Sequence, residues 1–371
     1  MGESNNEWLY RIGLTMINGV GPVLAKNLLA YCGSAEKVFT TPKSKLEKVP
    51  GIGAERAAKI AGAEALLLAE QELKFVEKHQ IQPLFFAATN YPTRLLDCTD
   101  APLLLYYKGN ANLNADKVVA IVGTRRATEY GKEQTKRMIA ELAAQNVLVL
   151  SGLAFGIDTV AHSASVDANL PTVGVLGHGL NTIYPNQNRA LAKRMLENGG
   201  LLTEYTSTDI MRPENFADRN RVVAGMSDCV VVIESATDGG ALITANIAHS
   251  YNRDVFALPG RVNDKFSKGC HSLIRTNRAA LVESGTDVIE AMNWQTNLET
   301  KTHKHQQQKL ALQLSDEEKL VHNVLSKNDE THIDVLADEA KINSSVLAAI
   351  LLEMEMNGLI NSLPGKRFKL A

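Results

Sequence analysis

The sequence predicts an α/β protein whose centre is a doubly wound, mainly parallel sheet, with a small helical module on each side of it in the chain. Three observations carry this. Between about residues 80 and 292, short apolar β-branched runs alternate with helical stretches, the pattern of a parallel sheet covered on both faces. Before them stand two related glycine phrases, INGVGPVLAKNLL (17–29) and VPGIGAERAAKI (49–60). After them, a polar Gln-rich run leads into three helix signals and a basic hairpin. The resulting division is 1–78 helix-hairpin-helix domain, 79–294 sheet domain, 295–314 linker and 315–371 winged-helix domain.

In the first segment each phrase places a hydrophobic residue, then GxG, then a helix with Ala and aliphatic residues facing inward. Glycines permit the tight turn and let backbone N–H groups approach a phosphate. Basic residues there are few, Lys26, Arg56 and Lys59, so a module that serves only packing is an equal reading.

In the central segment, strands are expected at 117–122, 147–151, 172–177, 229–234, 254–259 and 280–284. Helices are expected at 130–145, 158–168, 187–198 and 241–252. The runs 81–86 and 103–109 suit an edge extension of the sheet. Residues 295–314 read as a linker; its His303 and His305 have no Cys or carboxylate cluster beside them, so no metal is expected. In the last segment, Ser315 and Glu318 form a capping box, with further helices at about 332–340 and 343–357. Two short strands then flank Pro364-Gly365, with Lys366, Arg367 and Lys369 on the hairpin. Three helices and such a wing describe a winged helix. The third helix, NSSVLAAILLEMEMNG, carries two Glu and no Lys or Arg, so groove binding and protein docking are equally open.

Hydrophobic residues make up 45% of the 371, enough for a real core. The formal charge of −2 gives no polyelectrolyte signature; nucleic-acid binding would depend on local clusters. Cys32, Cys98, Cys229 and Cys270 form no CxxC pair, which suits reduced thiols in the cytoplasm. MGESNNEWLYRIGL lacks the basic and apolar regions of a leader, and no apolar stretch approaches a bilayer span of ~20 residues. A cytoplasmic location is expected, with no membrane partner.

Catalytic motifs are missing. There is no GxxxxGK[ST], no GxGxxG after the first central strand and no GxSxG. Asp158 and His162 lie four apart on one helix, which suits a structural pair or a helix-start role for the acid. Neither a catalytic residue nor a cofactor is expected.

Binding chemistry is easier to find. In an open α/β sheet ligands sit at the carboxyl ends of the strands. There the sequence places Gly123, Thr124, Arg125 and Arg126, then Ser151, Gly152, Phe155 and Gly156. Gly177-His178-Gly179, Gly239, Gly240 and Thr244, and Gly260-Arg261 follow further on. Small residues with donors suit an anion, phosphate above all. In MRPENFADRNRVVAGMSD (211–228), Arg212, Arg219 and Arg221 surround Phe216, with Asn220 between two arginines. An aromatic ring that stacks a base, with arginines on phosphates, is how single strands are held without reading sequence.

GTRRATEYG (123–131), SGLAFGIDTVAH (151–162), VGVLGHGLNTIYPNQN (173–188), NFADRNRVVAGMSD (215–228), GGALITANIA (239–248) and VFALPGRV (255–262) together resemble the DNA-processing protein A (DprA/Smf) family. The resemblance implies a Rossmann-like core between a SAM-like N-terminal domain and a C-terminal winged helix. It also implies non-specific single-stranded DNA binding, loading of the recombinase RecA, displacement of single-strand-binding protein and a homodimer, in DNA uptake and transformation. The family's phosphate loop falls on Gly123, Thr124 and Arg125. Its base-contacting ring falls on Phe216, with Arg219, Asn220 and Arg221 behind it. Arg212 is the candidate for the basic residue before the ring, although Pro213-Glu214 departs from the family pattern. The SGxAxGID loop falls on Ser151, Gly152, Gly156 and Asp158. Two other readings are a protein-docking scaffold and a hydrolase. Gly239-Gly240 with Thr244 resembles a nucleotide phosphoribohydrolase loop, but residues 245–248 lack the carboxylate that such a loop needs.

Overall fold

The computed structural model describes residues 5–294, 315–326, 330–357, 359–363 and 367–370. The predicted linker, His303, His305, Pro364, Gly365 and Lys366 lie outside the described residues. The chain forms two compact units, 1–295 and 296–371. The helical segment and the sheet segment therefore share one unit.

In that unit, helices Asn5–Thr15 and Pro22–Cys32 flank one glycine turn, and Lys43–Leu46 and Ala54–Ala61 flank the other. The two turns are matched: Gly19 and Gly51 both have φ of 83°, a left-handed conformation that favours glycine. Arg56 fastens them together. Its Nε donates to the Gly19 carbonyl at 2.8 Å and its Nη1 to the Gly51 carbonyl at 2.9 Å. Helix Glu64–Lys78 then runs against the sheet edge. Buried Glu72 accepts from the Ser207 N–H and hydroxyl, and Ile12, Leu28 and Val76 share a core with Phe85, Leu104 and Tyr106.

The sheet has nine strands: β1 (Gln82–Phe85), β2 (Leu104–Gly109), β3 (Val118–Val122), β4 (Leu148–Ser151), β5 (Thr172–Val175), β6 (Gly199–Thr203), β7 (Cys229–Val232), β8 (Asp254–Ala257) and β9 (Ala280–Leu281). Their order is β1-β2-β6-β5-β4-β3-β7-β8-β9. The ladders from β6 to β9 are parallel, while β1 and β2 add an antiparallel edge. Strand alternation explains the continuous apolar runs. Val118, Ala120 and Val122 of β3 enter one core, and Val119 and Ile121 enter the other.

β6 was not predicted, because its two glycines and terminal Thr203 weaken the β-branched signal. The helix expected to continue to 198 closes at Met195, making room for it. β9 is two residues long rather than five. The helices Pro213–Asp218, Asn220–Met226, Lys268–Arg275 and Gly285–Ala291 were also not predicted; each is eight residues or fewer, shorter than the stretch over which a helical repeat stands out from chance in sequence. From β3 the chain proceeds outward through β4, β5 and β6, then returns to place β7 on the other side of β3. That reversal opens a crevice at the carboxyl ends of β3 and β7.

The second unit holds helices Asp316–Leu325, Ile333–Ala340 and Ser344–Met356 with the strands Thr331–His332, Ile360–Leu363 and Arg367–Leu370. The predicted capping box at Ser315 and Glu318 is present in both directions. On the third helix Val346, Ala348, Ala349 and Leu352 are exposed, and Arg367 of the wing pairs with Glu330. All four cysteines are free. Among the described residues no helix is long and apolar enough to cross a membrane, and no cluster of His, Cys, Asp and Glu could hold a metal ion.

Candidate nucleic-acid interface

The crevice is built from loops that need small residues to meet. After β4 the chain turns at Gly156, with φ of 81° and ψ of −128°. A Cβ there would stand 2.2 Å from the Thr124 carbonyl oxygen. The two loops touch only because that atom is missing; the Ile157 N–H then donates to the same carbonyl at 3.2 Å. Thr124 is held from the other side, its N–H donating to the Glu234 carbonyl at 2.7 Å. The Glu234 carboxylate is buried and accepts from the Thr128 N–H at 3.0 Å and hydroxyl at 2.5 Å.

The cleft above these loops measures about 330 Å³. It is lined by Gly123, Thr124, Arg125, Gly152, Phe216, Arg219, Asn220, Gly239, Gly240 and Thr244, among others. Ten of the predicted residues therefore meet. The helix Gly240–Ser250 begins at this cleft without a side-chain cap, so its first N–H groups supply donors for an anion.

A small recess of about 40 Å³ adjoins it, lined by Phe155, His178, Tyr184, Phe216 and Arg125, among others. Two of its rings are open to solvent: Phe155 is 45% and Tyr184 51% exposed. Tyr184 lies 5.6 Å from Phe216 between centroids, and the Arg125 guanidinium carbon stands 6.0 Å from the Phe216 ring centre. Tyr184 was not predicted, and His178 was read only as part of the Gly177-His178-Gly179 strand end, without a role of its own. Buried His178 donates to the Gly179 carbonyl at 2.9 Å and receives the Tyr184 N–H at 3.3 Å, which holds the aromatic loop. An aromatic residue in the loop after β5 was the signal for them.

Other predicted residues are placed elsewhere. Arg126 and Arg212 are exposed but line neither opening. Ser151 is buried and donates to the Ile121 carbonyl at 2.6 Å, which makes it part of the sheet rather than a contact. Gly156 lies behind the loops. Arg221 donates to the Asp100 carbonyl at 2.6 Å and pairs with Glu204. Arg219 lines the cleft but is 5% exposed. It donates to the Val175 carbonyl and faces Asp158 across Gly152, where an added Cβ would lie 2.4 Å from both side chains. Two of the three arginines around Phe216 thus point inward. Helix Asn220–Met226 turns that side of the run into the protein, and spacing alone does not show it.

Burial raises the Asp158 carboxyl, with Arg219 opposing the shift. Of the two structural roles expected for Asp158, the helix-start one is seen, in the first turn of Ile157–Asp167, and the pairing with His162 is replaced by other partners. Asp158 receives the Ala154 N–H at 3.3 Å, while His162 reaches the Gly152 carbonyl at 2.5 Å and the Thr172 hydroxyl at 2.7 Å. Burial pushes the His162 imidazole down to about 4. The unfolded chain binds a proton there first, so stability is intact above pH ~6.5, declines as pH falls toward 4 and levels below it. The expected loss is about 2–3 kcal/mol between pH 7.5 and 4.5. Urea denaturation of the parent and His162→Gln at both values checks it; an equal pH loss in the two proteins contradicts this assignment.

The sequence model of "DNA recombination-mediator protein A" matches residues 82–293. The chain belongs to this family. Within the DNA recombination-mediator protein A family, matches extend to both flanks: the SAM-like helix-hairpin-helix tandem covers 12–63 and the DprA winged helix domain 305–366. The chain is 31% identical to Protein Smf of Synechocystis over 99% of both chains, and 36% identical to Protein Smf of Escherichia coli over 74% of both. Among solved structures it is similar to the X-ray structure of DNA processing protein A from Streptococcus pneumoniae. The TM-score is 0.66 at 31% identity, covering 78% of this chain and 98% of that one. The Helicobacter pylori protein, solved in a study of its single-stranded DNA binding mode, has TM-score 0.52 at 29% identity, covering 57% and 95%. The Rossmann-like core and both flanking modules expected from the resemblance agree with these matches.

Proposed function

We propose that the crevice binds single-stranded DNA without sequence preference and that the protein loads RecA onto that strand. The observation carrying this is the juxtaposition of exposed Arg125 with the Phe155, Tyr184 and Phe216 rings beside an uncapped helix start. Phosphates meet Arg125 and the backbone amides at Gly123 and Gly240, while bases stack on the rings. Arg126 and Arg212, exposed nearby in sequence, add longer-range attraction. In this reading Ser151, Arg219 and Arg221 are framework: they hold the loops, and Arg125 and the rings make the contacts.

RecA, single-strand-binding protein and a homodimer belong to the proposal because similar proteins are DNA recombination mediators. Asp158, the carboxylate that lines the first cleft, is opposed by buried Arg219, which speaks against the hydrolase reading.

Arg125→Ala and Phe216→Ala are each expected to weaken oligothymidine binding by about 1–3 kcal/mol with the fold intact. They differ in kind. Arg125→Ala also lowers the log–log salt slope by roughly 0.7, one phosphate's share, whereas Phe216→Ala leaves the slope unchanged and Phe216→Trp restores affinity. Fluorescence anisotropy across a salt series reads all three. Parent-like binding by both alanine variants would refute the crevice as the site.

A further inference from the structure

The crest continues past the Gly239 loop. Over the carboxyl end of β8 lies a second opening of about 710 Å³, whose lining includes Tyr130, Pro259, Gly260, Arg261, Lys265 and Phe266. Its chemistry repeats that of the first. Tyr130 is 44% exposed and is fixed by its hydroxyl, which donates to the Pro259 carbonyl at 2.8 Å. Phe266 is half-buried, with the Lys265 ammonium 6.0 Å from its ring centre. Arg261 and Lys265 are exposed. Two acids also line the opening: Asp264 is exposed at the rim, and the Glu234 carboxylate is occupied by Thr128.

The two openings share a wall. Ser235, in the lining of the first, donates its N–H to the carbonyl of Phe266, in the lining of the second, at 2.6 Å. Thr124 and Glu234 are joined in the same wall. Exposed Arg126 follows Arg125 on the loop that leads across it. The aromatic recess lies over β5, and four strand steps separate β5 from β8, about 19 Å at the usual spacing.

We infer that Tyr130, Arg261, Lys265 and Phe266 form a second nucleotide subsite, which takes phosphates and bases of the same single strand as it leaves the first cleft. This rests on the preceding reading of the crevice. Rings paired with cations are the signature of sequence-tolerant strand binding. At about 710 Å³ the opening is the roomier of the two and admits a base. A strand several nucleotides long is needed to reach both. The subsite therefore sets a length threshold above which affinity and salt dependence rise together.

The test uses the full chain and fluorescein-labelled oligothymidines, one short enough for the first cleft alone (about 4 nucleotides) and one long (about 16), within the range of such sites. Arg261→Ala/Lys265→Ala, which alters two exposed side chains, is compared with the parent and with Phe216→Ala. The double variant should bind the short oligomer like the parent. On the long one it should lose roughly tenfold or more, with a salt slope lower by about 1.4, two phosphates' share on a single strand. Phe216→Ala should lose affinity for both. Parent-like binding of the long oligomer by the double variant overturns the subsite while leaving the crevice reading in place. Equal losses on short and long oligomers also overturn it, because the two residues then act on the first cleft. If the parent binds neither oligomer, both readings fall.

Discussion

Gly156→Ala is expected to cost about 4 kcal/mol or more of folding stability and to abolish binding at the crest. Two costs combine. An alanine resists φ of 81° with ψ of −128°, and its Cβ would be forced to 2.2 Å from the Thr124 carbonyl oxygen and 2.7 Å from the Arg125 carbonyl carbon. Those are backbone atoms, and rotamer changes cannot relieve the contact. The loop carrying Arg125 must therefore move away from the loop before helix Ile157–Asp167, and the Ile157–Thr124 hydrogen bond goes with it. Substitutions of this class lie in the far tail of measured effects. Chemical denaturation together with oligothymidine binding is the measurement. A variant within 1 kcal/mol of the parent, on the scale of ordinary substitutions, would mean that the loops do not depend on their close approach. The neighbouring Gly240, where an added Cβ would meet nothing within 4 Å, is the control: Gly240→Ala should fold normally.

The second large effect lies beneath the cleft. Arg219→Met removes a cation that is 5% exposed and leaves buried Asp158 without its opposing charge, with the Ala154 N–H still donating to it. Removing one member of a buried charged pair commonly costs about 3–5 kcal/mol, because the remaining charge is uncompensated. Asp158→Asn in the same chain removes that charge. The double variant should therefore be more stable than Arg219→Met by roughly 2 kcal/mol, a coupling of the size contacting groups show. Urea unfolding of the four proteins in a cycle measures it. Strict additivity would show that the two groups do not sense each other across Gly152. A fall in DNA affinity no larger than the loss of folded protein would separate this framework role from a direct phosphate contact.

The fold was largely legible because β3, β4, β5, β7 and β8 are apolar on both faces, and only a sheet between two helical layers buries such runs. β6 was not, since Gly199-Gly200 supplies neither bulk nor branching. The backbone part of the site could be read as well: small residues after successive strands converge on the crevice in the structure. The direction of side chains could not. In the stretch from Arg212 to Arg221, spacing shows three arginines around a ring. It does not show that Arg219 and Arg221 find the Val175 and Asp100 carbonyls within the folded chain. Those partners are 44 and 121 residues away, beyond any local pattern. Tyr184 was overlooked for a related reason. Its place beside Phe216 depends on the buried His178 anchor, a contact between loops rather than a motif.

One arginine resting against one ring has an operating consequence. While Arg125 leans toward Phe216, each shields part of the other from water, and a ligand that engages only one must strip that shielding without recompense. Free phosphate would draw the guanidinium away and leave a wetted ring, and a lone nucleobase would displace the cation into solvent. A nucleotide unit, free or within a strand, answers both halves at once. In the proposed binding mode the contact therefore discriminates against inorganic phosphate and free nucleobases, through the cost of half-occupancy rather than through any shape-selective gate.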